Sequence, residues 1–278
     1  MYLSRVRLHP SMDSTQLASL LRDRKGYGLH RLFWGLFDSK KRNFLFREEL
    51  AAEQLTCQGK RRADPLYYLL SAQEPQQDSP LLQVESKRYE PKLSTGDRLS
   101  FKLRVNAVVS RNGKRHDIVM DTQRSWLQQE LAALNLSGEG DKGSCKRRLL
   151  EHADDTRLIA WKSQIEKGPF GHRLEYRLKR SELLEWAMKT AVEVAIFRWW
   201  LRQGERHGFG LPENETSLQA MAYQKHHLPE KNRNAGFNSL DLSGEVIVRD
   251  VDKFKELLFD GTGPAKAFGC GLMMIRRV

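Results

Sequence analysis

With 278 residues the chain can bury one large core or two small ones, and its 40% hydrophobic content is ordinary for a globular protein. Lys and Arg number 47 against 35 Asp and Glu, a net charge of +12, which favours an anionic polymer as partner, most often nucleic acid, with a membrane surface as the rival. There is no run of 18 apolar residues and no apolar secretory core near Met1, so neither a transmembrane helix nor a leader is expected; Cys57, Cys145 and Cys270 lack metal spacing and suit a reducing cytoplasm.

Tyr2 to Leu8 alternates Leu3, Val6 and Leu8 with Ser4, Arg5 and Arg7, the mark of a strand. Two helical pieces follow, 16–23 and 27–37. In the second, Leu29, Leu32, Phe33, Leu36 and Phe37 recur at helical spacing and predict a buried stripe. Tyr27, His30 and Trp34 fall beside that stripe, and Tyr27 and His30 lie one turn apart on the same side. Such a pair can act on one substrate atom, or His30 can simply satisfy a contact at the core edge. Strands are expected at 41–47, 65–71 and 81–89, with a surface loop over 72–80 and an untyped polar segment over 48–64. One strand, one helix and three strands suit a ferredoxin-like or RRM-like unit whose second helix is hard to see.

Residues 97–110 read as one long strand, with Leu99, Phe101, Leu103, Val105 and Ala107 alternating with Arg98, Lys102 and Arg104. Arg111, Asn112, Gly113, Lys114 and Arg115 predict a tight basic turn. Lys102, Arg104, Arg111, Lys114 and Arg115 are candidate phosphate contacts, or else a solvated basic edge. Residues 121–181 interrupt the pattern as a helical insertion. Leu127, Leu131, Leu134 and Leu136, then Gly140, Lys142, Cys145, Arg148 and Leu149, resemble a SAP motif, a small helical DNA-binding module; a plain helical hairpin explains the leucines equally well. Residues 161–179, with Gly168, Pro169 and Gly171, read as a linker or hairpin.

Residues 182–206 predict a long helix and 208–212 a turn. Strands at 217–227 and 237–248 flank a hairpin tip crowded with Lys225, His226, His227, Lys231 and Arg233, without the Cys or carboxylate pattern of a zinc site. A short helix follows, with Asp250 as N-cap and Val251, Phe254, Leu257 and Leu258 on one face. It leads through a loop with four glycines (261, 263, 269 and 271) and Lys266 into a closing apolar strand. Backbone N–H groups of such a loop can hold phosphate, and Lys266 adds charge, although a glycine-rich turn with no such role is the competing reading. The loop follows a helix and lacks a Gly-Lys-Ser/Thr ending, which argues against a nucleotide-binding loop.

The segment from Gly261 to Leu272, with the pattern G-x-G-P-A-K-x-x-G-C-G-L, resembles the CasE family, the CRISPR repeat endoribonucleases of the type I-E Cascade system. The early Tyr27-x-x-His30 helix with its aromatic run, and the F-L-F strand after it, are similar to the same family. The resemblance spans roughly 1–115 and 186–278. It implies an α+β fold of tandem ferredoxin-like domains, 1–92 and 96–278, with the 121–181 insertion in the second. It further implies metal-independent cleavage of repeat hairpins in precursor CRISPR RNA, leaving 5′-OH and 2′,3′-cyclic phosphate ends, in a bacterial cytoplasm. His30 is then the general acid/base and Tyr27 its partner. Lys225, Lys231 and Arg233 meet phosphates, and Lys266, Gly269 and Gly271 lie against the scissile region. No cofactor is expected. The implied partners are the repeat RNA and other Cascade subunits, with duplex DNA reached through the insertion. Two other readings stand beside it: a non-catalytic scaffold that binds the RNA hairpin, and a DNA-binding adaptor that uses the insertion.

Overall fold

The computed structural model describes residues 1–9, 27–39, 41–49, 66–175, 177–212, 218–228 and 236–278. The helix expected over 16–23, most of the polar segment 48–64, and Lys231 and Arg233 lie outside them. The described chain divides into two compact units, residues 1–107 with 203–278, and residues 108–202.

The first unit opens with β1 (Tyr2–Leu8), α1 (Tyr27–Trp34), β2 (Phe44–Glu49), β3 (Leu66–Ser71) and β4 (Leu82–Arg88). The strands form one antiparallel sheet in the order β2-β3-β1-β4, the order of a ferredoxin-like unit. Val6, Phe44, Phe46, Tyr67, Leu69, Leu82 and Val84 cover one face and take up Phe33, Leu36 and Phe37 from α1 and the turn after it. Phe33 is fully buried, its ring 5.1 Å from both Phe46 and Tyr67. Each such side chain contributes about 2–3 kcal/mol by leaving water, which fixes α1 on the sheet more firmly than its eight residues could by propensity. The second crossover helix is absent from the described chain. Residues 72–81 return without one, and the Gln76 N–H donates to the Leu36 carbonyl at 2.9 Å, tying the connection to the end of α1's extension.

The long strand expected over 97–110 is two elements. β5 (Arg98–Val105) stops at Val105, and β6 (Val108–Arg111) pairs with β7 (Lys114–Asp117) in a separate hairpin. Its turn is the expected tight one, with Asn112 and Gly113 both at positive φ (50° and 73°), the combination a two-residue hairpin turn requires. This hairpin opens the second unit. There α2 (Ile118–Ala132), α3 (Lys142–His152) and α4 (Asp155–Glu166) follow, then a 3-10 turn and most of α5 (Arg180–His207). Asp117, Asp141 and Asp154 cap the three shorter helices, each accepting from a backbone N–H within the first turn. Trp126, Leu127, Leu131, Cys145, Leu149, Trp161 and Ile165 pack with Leu183, Leu184, Ala187 and Met188 of α5. The leucines of the SAP-like spacing thus include core residues of this unit. The reading of 161–179 as linker or hairpin is corrected over its first part, since Trp161 to Glu166 completes α4. The unit begins at Val108 and ends at Arg202, wider than the 121–181 segment marked by sequence.

The first unit then closes with β8 (Phe209–Gly210), β9 (Gln219–His227), β10 (Gly236–Val248), α6 (Val251–Asp260) and β11 (Met273–Arg277). Their antiparallel order is β11-β5-β10-β8, with β9 also on β10, so β5 occupies the place that β1 has in the first sheet. The turn expected over 208–212 contains the two-residue strand β8, held by Phe209 and Gly210 against Val248 and Ile247. Alternation places Leu99, Phe101, Leu103 and Val105 in the core, together with Leu240, Leu242, Val246 and Val248 of β10 and Phe254, Leu257 and Leu258 of α6. Leu45 and Leu70, on the face of the first sheet away from α1, cluster with Leu272, with Phe259 and Met274 packed alongside. The two sheets therefore share apolar contact around the loop that joins α6 to β11. Among the described residues no helix is long and apolar enough to cross a membrane.

Candidate active site

The loop from Gly261 to Gly271 is the meeting point. Its 3-10 turn, Lys266–Phe268, packs against both α1 and β2. The glycines are required by that approach. Gly261 sits at φ 72°, and a Cβ there would stand 2.7 Å from Leu45 Cδ1 and 2.9 Å from the Gly271 carbonyl oxygen. Gly269 sits at φ 81°, and its Cβ would meet the Phe46 ring at 3.2 Å. Glycines that read as a phosphate cradle therefore first serve contact between loop and strand. Gly269 and Gly271 are buried, and the Gly271 N–H donates to the Arg104 carbonyl at 2.8 Å while its own carbonyl accepts from Thr262 N at 3.1 Å. The expectation of an open backbone cradle at Gly271 is corrected accordingly: both of its backbone groups bond within the protein.

His30 lies on α1, the helix that meets this turn. Its ring is 2% exposed, enclosed by Trp34 and Phe44 with centroids 5.3 Å away in each case. Trp34 is itself anchored, its Nε1 donating to the Ser39 carbonyl at 2.8 Å. The sequence placed His30 beside the apolar stripe; the structure draws it further in, because Phe44 from β2 closes over the flank that helical spacing alone leaves open. Burial holds the imidazole pKa below its ordinary value, and the Arg42 guanidinium lowers it further. Tyr27 opens α1 one turn earlier; its side chain lies outside the description.

Lys266 is half-buried, and its Nζ donates to the Asp260 carbonyl at 2.7 Å, closing the C-terminal end of α6. Burial lowers its pKa first; Asp260 opposes that and Arg42 adds to it. Arg42 is exposed, and its charge disfavours the protonated form of both His30 and Lys266. Sequence reasoning missed Arg42; its position two residues before Phe44, the residue that covers His30, was the available signal. Cys270, in the same loop, is fully buried and its thiol is pushed up to about 12, chiefly by burial, so it is no thiolate nucleophile at neutral pH.

The remaining candidates scatter. Arg104 is committed to Asp241 in a two-point ion pair at 2.8 and 3.0 Å, with both side chains mostly buried. That pairing uses its charge inside the protein, against its expected role at phosphate. Lys102 is exposed on the same sheet face, opposite Ser243 on β10 and Met274 on β11. Lys225 is exposed on β9. Its neighbour His226 is stacked on Phe237 at 4.5 Å with its Nε2 2.8 Å from the Ser239 hydroxyl oxygen, and Phe237 in turn lies 5.1 Å from Phe268 of the glycine loop. The hairpin base is thereby tied to the loop by an aromatic chain. Arg111, Lys114 and Arg115 are exposed on the hairpin of the second unit, with Arg111 paired to Asp121 at 2.8 Å. No three His, Cys, Asp or Glu side chains gather as a metal site among the described residues.

A family model described as CRISPR associated protein matches residues 1–277. Among solved structures, the chain is similar to Thermus thermophilus Cse3 bound to an RNA representing a pre-cleavage complex, at 18% identity and a TM-score of 0.58 over 99% of this chain and 98% of that one. A structure of the CRISPR endoribonuclease Cse3 bound to a 19-nucleotide RNA aligns at 18% identity and 0.54, covering 99% and 98%. The CRISPR-associated protein Cas6e from Escherichia coli K-12 aligns at 18% identity and 0.51, covering both chains fully. These likenesses support the tandem ferredoxin-like architecture described above. No curated protein sequence matches the chain.

Proposed function

The chain belongs to the family of CRISPR associated proteins, and from that premise we propose that it is a metal-independent endoribonuclease that cuts repeat hairpins in precursor CRISPR RNA. The products are a 5′-OH and a 2′,3′-cyclic phosphate. The protein stays on the 3′ hairpin of the mature RNA as a subunit of Cascade, through two ferredoxin-like halves, 1–92 and 96–278. The observation that carries this reading is His30 on the helix that packs against the glycine-rich loop, with Arg42 and Lys266 beside it.

Cleavage of this kind needs proton transfer at the ribose 2′-oxygen and the leaving 5′-oxygen, in-line geometry, and a cation to take up charge on the phosphorane. His30 is the acid/base and Tyr27 orients it. Arg42 and Lys266 supply positive charge. Because the His30 ring is covered by Trp34 and Phe44, the substrate-bound state has to uncover it. Lys102 and Lys225 are exposed and would face phosphates of the stem, and Arg111, Lys114 and Arg115 offer a second basic surface.

The 2% exposure of His30 also favours a second reading, a scaffold that binds the hairpin without cutting it. One experiment separates the two. The synthetic repeat hairpin is incubated with the full chain in EDTA and the ends are analysed. A cyclic phosphate product, with a rate that His30→Ala lowers by about 10²–10⁴-fold, supports the enzyme. Tight binding with no product supports the scaffold.

A further inference from the structure

We propose that the second unit carries a pocket for one unpaired nucleotide of a single strand, RNA or DNA, between β7, α2 and α3; the proposal stands apart from the ribonuclease reading. A cavity of about 440 Å³ opens there. Sites that enclose a small organic ligand measure about 300–1,000 Å³, so one nucleotide fits where a helix or a duplex does not. One wall is a single face of α2, on which Met120, Gln123, Arg124, Leu127 and Gln128 recur at helical spacing. The facing wall is the turn into α3. Gly138 and Gly140 offer no side chains there, and Gly140 needs to be glycine at φ 104°. Lys142 and Cys145 continue that wall, and Arg115 of β7 stands at the mouth.

The floor is apolar and the mouth is cationic. Leu127 and Cys145 are buried at the floor, while Met120 is 58% exposed, an unbranched thioether set where a flat ring can lie on it. Lys142 Nζ donates to Gln123 Oε1 at 2.7 Å, which orients that amide and leaves its N–H groups to donate to a base edge. The acidic groups of the cavity are already engaged by the protein. Asp117 accepts from Met120 N at 2.8 Å, Asp141 from Ser144 N at 2.9 Å, and Asp121 pairs with Arg111 at 2.8 Å. Arg115 and Arg124 are exposed and have no carboxylate partner among the described residues. An uncharged planar ring with a phosphate beside it meets both demands: the base enters toward the floor and the amide, and the phosphates meet the arginines. A paired base cannot enter without leaving its duplex. The net charge of +12 favours a polyanion over a free small molecule.

The test is binding of short fluorescent oligouridine and oligothymidine to the full chain over a salt series, beside an abasic oligomer and a duplex of the same length. The variants are Arg115→Ala with Arg124→Ala, and Arg115→Lys with Arg124→Lys, each checked by melting temperature. We expect the single strands to bind, the tighter one naming the sugar, and the abasic strand to bind about tenfold more weakly. The double alanine variant loses about tenfold in affinity, and its salt slope falls by about 1.4, about 0.7 for each lost phosphate contact. The double lysine variant keeps the slope. Photocrosslinks from 4-thiouridine or 4-thiothymidine in the strand map within residues 115–145. No binding of either single strand overturns the proposal, as does wild-type affinity in the double alanine variant. Equal binding of the abasic strand overturns it by reducing the site to a phosphate surface, and tighter binding of the duplex assigns the unit to double-stranded DNA instead. Crosslinks confined to other residues overturn it too, as does a loss that follows a lower melting temperature and is not recovered by the lysines. None of these outcomes reads hairpin cleavage, so the ribonuclease reading stands or falls separately.

Discussion

Replacing Gly261 by Ala tests the packing of the glycine loop on β2 directly. The residue sits at φ 72°, and the added methyl would lie 2.7 Å from Leu45 Cδ1 and 2.9 Å from the Gly271 carbonyl oxygen. Left-handed backbone alone costs a non-glycine residue about 1–2 kcal/mol. Overpacking against a core leucine adds about 1–3 kcal/mol, and the backbone oxygen cannot yield as a side-chain tip can. Gly96→Ala is the control, since Gly96 has φ 93° with nothing within 4 Å of its would-be Cβ. The expected urea-denaturation losses are about 2–5 kcal/mol at Gly261 and about 1–2 at Gly96. Adding Leu45→Ala to Gly261→Ala then restores part of the difference, because the two changes share one contact. Equal losses for Gly261→Ala and Gly96→Ala would refute the close approach of loop and strand.

Further outcomes follow from the same structure. The burial-lowered pKa of His30 means that the unfolded state binds its proton first as pH falls. Stability is full above the unfolded imidazole value of about 6.5 and declines as pH drops toward the lower folded value, by at most about 1.4 kcal/mol per pH unit for this one group. Urea midpoints between neutral and mildly acid pH measure that slope, and Phe44→Leu, which thins the cover, should flatten it; a steeper slope contradicts the assignment. Asp241→Ala leaves the mostly buried Arg104 guanidinium unpaired and should cost about 3 kcal/mol or more, read from the same melts, whereas Asp241→Ala with Arg104→Met costs less than the single change. An Asp241→Ala chain as stable as wild type shows that the pair is not structural.

Much of the first sheet was legible because β2 and β3 are short apolar runs set between polar segments, and α1 carries a full apolar stripe. The break after Val105 was not, because Ala107 continues the alternation and nothing in Asn106 or Ala107 punctuates it; only the departure of β6 into its own hairpin ends the ladder. Helix α4 was missed because only Trp161 and Ile165 are buried, and Leu158, Ile159 and Ala160 blur the stripe, with Ile159 left 65% exposed. At the site, helical spacing brought Tyr27 and His30 together and the glycine pattern marked the loop. Enclosure of His30 depends on Phe44 from another element, and Arg104 is claimed by a carboxylate 137 residues away. Period and propensity act within an element and carry no trace of either partner.

The position of β5 has a consequence for how the chain is made. Its two sheet neighbours, β10 and β11, lie more than a hundred residues downstream, beyond the entire second unit. During synthesis Leu99, Phe101, Leu103 and Val105 emerge long before anything that can pair with them, and closing so distant a ladder is slow. The ribosome-bound intermediate therefore carries a ready strand with both edges bare, a species that calls for chaperone cover and is prone to pairing between nascent chains.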